Sequence, residues 1–161
     1  MNTSLSPAEV RQLCIQLSSP GLIRLITEID DNGPIPPRGL TRTLADLTEH
    51  HLRQATDAAG ALGLVRARPG AGLDLTASGA ELADVYDAIA RWARRHAYPA
   101  PVADFPGRIQ HTLALLADIP SVGHLPSAQA LADLAGPRVL LGQWLHAHAQ
   151  AAQPAEHELA A

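Results

Sequence analysis

Lysine is absent from this chain, and its twelve basic residues are all arginine. Sixteen acidic side chains outnumber them and leave a formal net charge of −4. The protein is therefore no polycation, and any nucleic-acid binding has to come from a local patch. Cysteine occurs once, at Cys14, which excludes an internal disulfide. Aromatic residues make up 3%, so a core must be assembled from leucine, isoleucine, valine and alanine. No stretch is apolar for long enough to cross a bilayer, and the opening MNTSLSPAEV has neither a basic nor an apolar region. The expectation is a cytoplasmic protein with no membrane partner and no export signal.

Catalytic signatures are missing too. There is no G-x-S-x-G elbow, Walker loop, dinucleotide fingerprint or Cys–His pattern, and RPGAG is too short for a phosphate cradle. No enzymatic activity and no cofactor are expected. Eight histidines invite a metal reading, but His50-His51 and His146/His148 lack the spacing of four that puts two imidazoles on one helical face. No metal site is expected.

What is present is a succession of amphipathic helices in a chain of 161 residues that is 47% hydrophobic, enough for one domain, alone or with a helical extension. SPAEVRQLCIQL carries a capping box, with Ser6 as N-cap, Pro7 at the first helical position and Glu9 at the third. Val10, Leu13, Cys14 and Leu17 then form an apolar stripe. A second helix opens at Ser19-Pro20, buries Leu22, Ile23, Ile26 and Ile29, and stops at Asn32-Gly33. After PIPP a short helix is predicted over 40–47, with Leu44 and Leu47 inward.

Thr48 caps the next helix, predicted over 49–62. Leu52, Ala55, Ala59 and Leu62 share its buried face. That leaves Glu49, His50, Arg53, Gln54 and Asp57 facing solvent. LVRAR and GLDLT alternate with period two around PGAG, a hairpin that points Val65, Ala67, Leu73 and Leu75 inward and Arg66, Arg68 and Asp74 outward. Thr76 caps a helix over 77–96 with a seam of Leu82, Val85, Ile89 and Trp92. Further helices are expected over 106–117, 128–135 and 137–150, followed by a frayed tail. PGLIRLITEI…LADL, from Pro20, is echoed by PGRIQHTLAL…LADL, from Pro106. Either this is chance in an alanine- and leucine-rich chain, or the C-terminal part is a second, wingless helix-turn-helix.

The fold class that follows is mainly α with a small β-hairpin: a winged helix-turn-helix with N- and C-terminal helical extensions. From Leu22 to His96 the chain resembles winged-helix bacterial transcriptional regulators of the HxlR/MarR kind. LRQATDAAGALGLVRAR is similar to their recognition helix entering the first wing strand. LDLTASGAELADVYDAIARWARRH is similar to their LT-x-x-G-x-x-L pattern and tryptophan-ending helix. Methyltransferase dimerisation domains share the fold and a similar ALGLV…LT run without binding DNA. The chain departs from the regulators in a short wing with few charges, and in the length that follows His96. The resemblance implies residues 1–97 as a winged-helix DNA-binding domain and residues 98–161 as a helical extension, for dimerisation or as a degenerate second helix-turn-helix.

On that reading the partners are double-stranded DNA and a second copy of the chain, with a small-molecule effector as a further candidate. The function is a sequence-specific regulator acting as a homodimer on a near-palindromic operator. The alternative is a winged helix used only for dimerisation or partner docking. Arg53 would fork onto guanine and Gln54 would pair with adenine, while His50 and His51 donate to bases or phosphates. Thr41, Arg42 and Thr48 would sit on phosphates, and Arg66 and Arg68 would reach the backbone or minor groove. Each has a plainer reading: Arg53 stands four residues from both Glu49 and Asp57, and Arg66 faces Asp74 across the hairpin. Cys14 is the candidate redox residue, against a buried structural thiol. Leu113, Leu116, Leu140 and Trp144 are either an effector pocket or core.

Overall fold

The computed structural model describes residues 4–120 and 125–160, with side chains as far as residue 150. In order, the elements are α1 (Pro7–Leu17), α2 (Pro20–Asn32), α3 (Leu40–Thr43), α4 (Glu49–Ala61), β1 (Val65–Arg68), β2 (Gly72–Leu75), α5 (Ala77–Arg95), α6 (Phe105–Leu116), α7 (Ala128–Asp133) and α8 (Ala135–Ala160). The protein is mainly helical, with a small two-stranded antiparallel sheet. Among the described residues no helix is long and apolar enough to cross a membrane.

Local chemistry sets most boundaries. Ser6 Oγ accepts from Glu9 N at 3.2 Å and Pro7 fills the first turn of α1. Thr48 Oγ1 accepts from His51 N at 3.1 Å to start α4, and Thr76 Oγ1 accepts from Gly79 N at 3.1 Å to start α5. Asp104 and Ser127 cap α6 and α7 in the same way. The short helix ends early, at Thr43. Threonines at 41 and 43 are weak helix formers, and the chain turns at Leu44 so that this side chain is fully buried. At the other end α8 begins earlier and runs further than expected, through an alanine-rich tail, where a frayed end was predicted.

One contiguous core runs from Cys14 to Leu145, built around α5. Every residue of the expected stripes in α2 and α5 is buried. In α4 Leu52, Ala55 and Ala59 are buried and Leu62 half-buried. α5 packs against α2 and β2 on the N-terminal side and against α6 and α8 on the C-terminal side. Buried polar groups fasten it. Tyr86 Oη donates to Leu17 O at the end of α1. The two indoles of the chain are both used: Trp92 Nε1 donates to Ala130 O at 2.8 Å, and Trp144 Nε1 donates to Ser78 O at 2.9 Å. Arg108, in α6, donates to Ala93 O and Tyr98 O at 3.0 Å each and to Pro101 O at 3.2 Å.

The hairpin pairs Val65 with Leu75, Arg66 with Asp74, Ala67 with Leu73 and Arg68 with Gly72. Ile35 adds an antiparallel bridge to Leu73. Gly72 makes this approach possible: its φ is +107°, and a Cβ there would run into the Ile35 carbonyl. Ala67 is a correction to the inward face expected of it. Only Val65 of β1 is buried, because Ile35 covers the sheet from the β2 side and nothing packs on β1 beyond its first residue.

Candidate nucleic-acid interface

α3 and β1 both pack against α4, so the residues expected to face DNA lie on three neighbouring elements. Seating of α4 itself is legible in its sequence: three small or aliphatic residues turn inward, and α2 receives them. Gly21 of α2 permits the close approach, since a Cβ there would stand 3.2 Å from Ala55 Cβ. An ion pair missing from the sequence reading fixes the entry to α4. Arg24 on α2 grips Asp46 in a fork, Nε to Oδ2 at 2.9 Å and Nη2 to Oδ1 at 3.0 Å. The guanidinium holds the Asp46 carboxyl below the usual carboxylate range, chiefly through that hydrogen bond.

With α4 seated, Glu49, His50, His51, Arg53, Gln54 and Asp57 are all exposed. The two imidazoles stand 5.9 Å apart, tilted by 49°. Arg53 does not pair with Glu49 or Asp57; the ion pairs among the described residues lie elsewhere. Thr41 and Arg42 are exposed on α3, and Arg42 has no acidic partner among those residues. Thr48 is exposed but its oxygen is engaged as the cap of α4, so its hydroxyl has only its proton left for a phosphate.

The wing differs from expectation in which arginine is paired. Arg66 stands opposite Asp74, yet the ion pair is Arg68 Nη1 to Asp74 Oδ2, at 3.1 Å. Leu75 N binds Asp74 Oδ1 at 2.8 Å and orients the carboxylate, and the diagonal neighbour two residues from the direct partner reaches its other oxygen. Arg66 is therefore the wing cation without an acid among the described residues, and Arg68 is partly neutralised. Arg38, in the turn after the Ile35 bridge, is exposed and likewise unpaired there. Its place in the sequence gives no sign of this, because only the non-local Ile35–Leu73 pairing carries its turn to the hairpin.

Cys14 lies apart from this surface. It is 1% exposed in the core, and burial pushes its thiol up to about 11, which opposes formation of the reactive thiolate. Arg91 pairs with Asp87 at 2.9 Å, and Arg94 and Arg95 are exposed in the last turn of α5, where cations complement the helix dipole. No group of three or more metal-ligating side chains that could hold an ion occurs among the described residues.

The chain matches no family model, no curated protein and no solved structure.

Proposed function

We propose that the protein is a winged-helix, sequence-specific DNA-binding regulator of the HxlR/MarR kind. It would act in the cytoplasm as a homodimer on a near-palindromic operator. The observation that carries this reading is the outward face of α4, where Arg53 and Gln54 are exposed and Arg53 is spent on no intramolecular ion pair. A helix of 13 residues rises about 20 Å, enough to lie along a major groove. Arg53 reads guanine, Gln54 reads adenine, and His50 and His51 lie near the helix start. Arg42 on α3, Arg38 in the turn beside the hairpin and Arg66 on the wing meet phosphates. In a two-fold dimer the two recognition helices would stand about 34 Å apart, one turn of DNA.

Purified full-length protein is used to select bound fragments from a random DNA pool. Enrichment of a two-fold related site supports the reading, and Arg53→Ala then weakens binding to it by about 1–3 kcal/mol. A pool that stays random after several rounds overturns it. The alternative, a winged helix used for dimerisation or partner docking, draws support from the net charge of −4 and the Arg68–Asp74 pair. Salt separates the two, because phosphate contacts make log affinity fall steeply with log salt.

A further inference from the structure

α8 turns one face toward the start of α1 and the end of α6, and a cavity of about 570 Å³ lies between them, well within the range of small-molecule sites. On α8 its walls are Arg138, Leu141, Gly142, Leu145 and His146, spaced three, one, three and one, a single helical stripe. Leu116 of α6 and Val10 of α1 close the apolar side. Of the four side chains expected around an effector pocket, only Leu116 borders this space. Leu113 and Trp144 are buried core residues, and Leu140 belongs to a different groove, beside α5.

Two features distinguish the cavity from incidental space. Gly142 stands mid-stripe inside a helix, where glycine is disfavoured against alanine. Nothing lies within 4 Å of where its Cβ would be, so no packing neighbour requires it, and on this exposed stretch of the helix the middle of the space is an open groove without a side chain across it. Arg138 stands at one end of the leucine wall with no acidic partner among the described residues. A planar guanidinium with free donors matches a carboxylate in a fork. Besides the polar Ser4, Arg138 and His146 the walls hold leucine and valine and no phenylalanine, tyrosine or tryptophan, which favours an alkyl chain over a stacked ring. From Arg138 to Leu145 the helix rises about 10 Å, room for a chain of about eight to ten carbons.

We propose that this cavity binds an aliphatic monocarboxylate. The alkyl chain lies along Leu141 and Leu145, against Leu116 and Val10, and the carboxylate sits on Arg138. The site stands whether or not the chain binds DNA.

The test is titration calorimetry of the full chain with decanoate and, as the uncharged counterpart, 1-decanol. Decanoate should bind saturably, one per chain, and decanol at least two-fold more weakly. Arg138 is exposed, so Arg138→Gln should lower the decanoate affinity by about two- to five-fold, the weight of a solvent-exposed ion pair, and leave decanol unchanged. Gly142→Phe, which fills the cavity from within, should abolish both while the helical circular dichroism and melting temperature persist. If that variant does not fold, Val10→Trp fills the same space from the half-buried start of α1 and carries the same expectation. Absence of saturable decanoate binding, equal binding of acid and alcohol, or undiminished binding by a folded plugged variant would each overturn the proposal.

Discussion

Replacing Arg108 by methionine tests how α6 is joined to the end of α5. Arg108 is half-buried and its guanidinium satisfies three carbonyls, Ala93 O in the last turn of α5 and Tyr98 O and Pro101 O on the chain that follows it. Ala93 O retains a second partner, the Tyr98 N–H at 2.8 Å, and Pro101 is exposed, so water replaces the arginine there. The loss therefore falls mainly on Tyr98 O, whose residue is 6% exposed, and on the partly desolvated charge that served it. A hydrogen bond to a charged group contributes about 1.5–3 kcal/mol, and an orphaned buried acceptor costs about 1–3 kcal/mol. Taking the first in full and the Ala93 bond at a fraction gives a destabilisation of roughly 2–4 kcal/mol. In a chain of this size that lowers the melting temperature by about 5–15 °C. Arg108→Lys should recover only part of the loss, because one ammonium in place of Nη1 serves Ala93 O and Tyr98 O from a shorter, unforked side chain and gives up the Nη2 bond to Pro101 O. Urea unfolding followed by circular dichroism measures both, at an unchanged slope against denaturant. A methionine variant within about 0.5 kcal/mol of the parent, the ordinary range of a surface substitution, would refute the assignment.

Further expectations follow from particular groups. Arg66→Ala should weaken binding to all DNA sequences alike and reduce the salt slope by about one, whereas Arg68→Ala, already paired with Asp74, should do so less; equal effects in filter binding would contradict the pairing. Breaking the exposed Arg24–Asp46 fork should cost only about 0.5–1 kcal/mol in a double-mutant cycle. Because its carboxyl is held low in the fold, this contribution is present at neutral pH and lost as pH falls through the depressed pKa; a pH-independent coupling down to acid denaturation would contradict it. Cys14 works with the opposite sign: its raised pKa leaves stability untouched below about pH 9.0 and removes roughly 2–3 kcal/mol between there and about pH 11, a loss that Cys14→Ala should abolish in alkaline unfolding curves. Gly60→Ala, on the open side of α4, should stabilise by about 0.5–1 kcal/mol, whereas Gly79→Ala would drive a Cβ into the Leu64 carbonyl and should destabilise; thermal melts with the reverse order would refute the packing of α5 on that residue.

Much of the fold is written in neighbouring residues. Ser6-Pro7-Glu9, Thr48 and Thr76 mark helix starts because a cap acts within one turn, and RPGAG between two alternating runs gives the hairpin register for the same reason. Misplaced details are those set from a distance. The end of α3 depends on Leu44 entering a core supplied by other helices, and the exposure of Ala67 depends on Ile35 joining the sheet on its far side. In the candidate interface, the exposure of Arg53 and Gln54 could be read from the helical period. Which arginines remain uncommitted could not. Arg68 rather than Arg66 takes Asp74 because Leu75 N turns the carboxylate, and Arg24 reaches across 22 positions to Asp46. The cavity beside α8 was equally hidden, since it needs three helices brought together from both ends of the chain.

The way α5 is fastened limits how the molecule can be cut. Its apolar seam is covered from both sides, and its ends are tied to α7 and α8 by two indole N–H groups. A fragment stopping near His96 would leave Leu113, Leu141 and Leu145 behind and expose the surface they cover. Expression of the first three-fifths alone should therefore give an aggregating product.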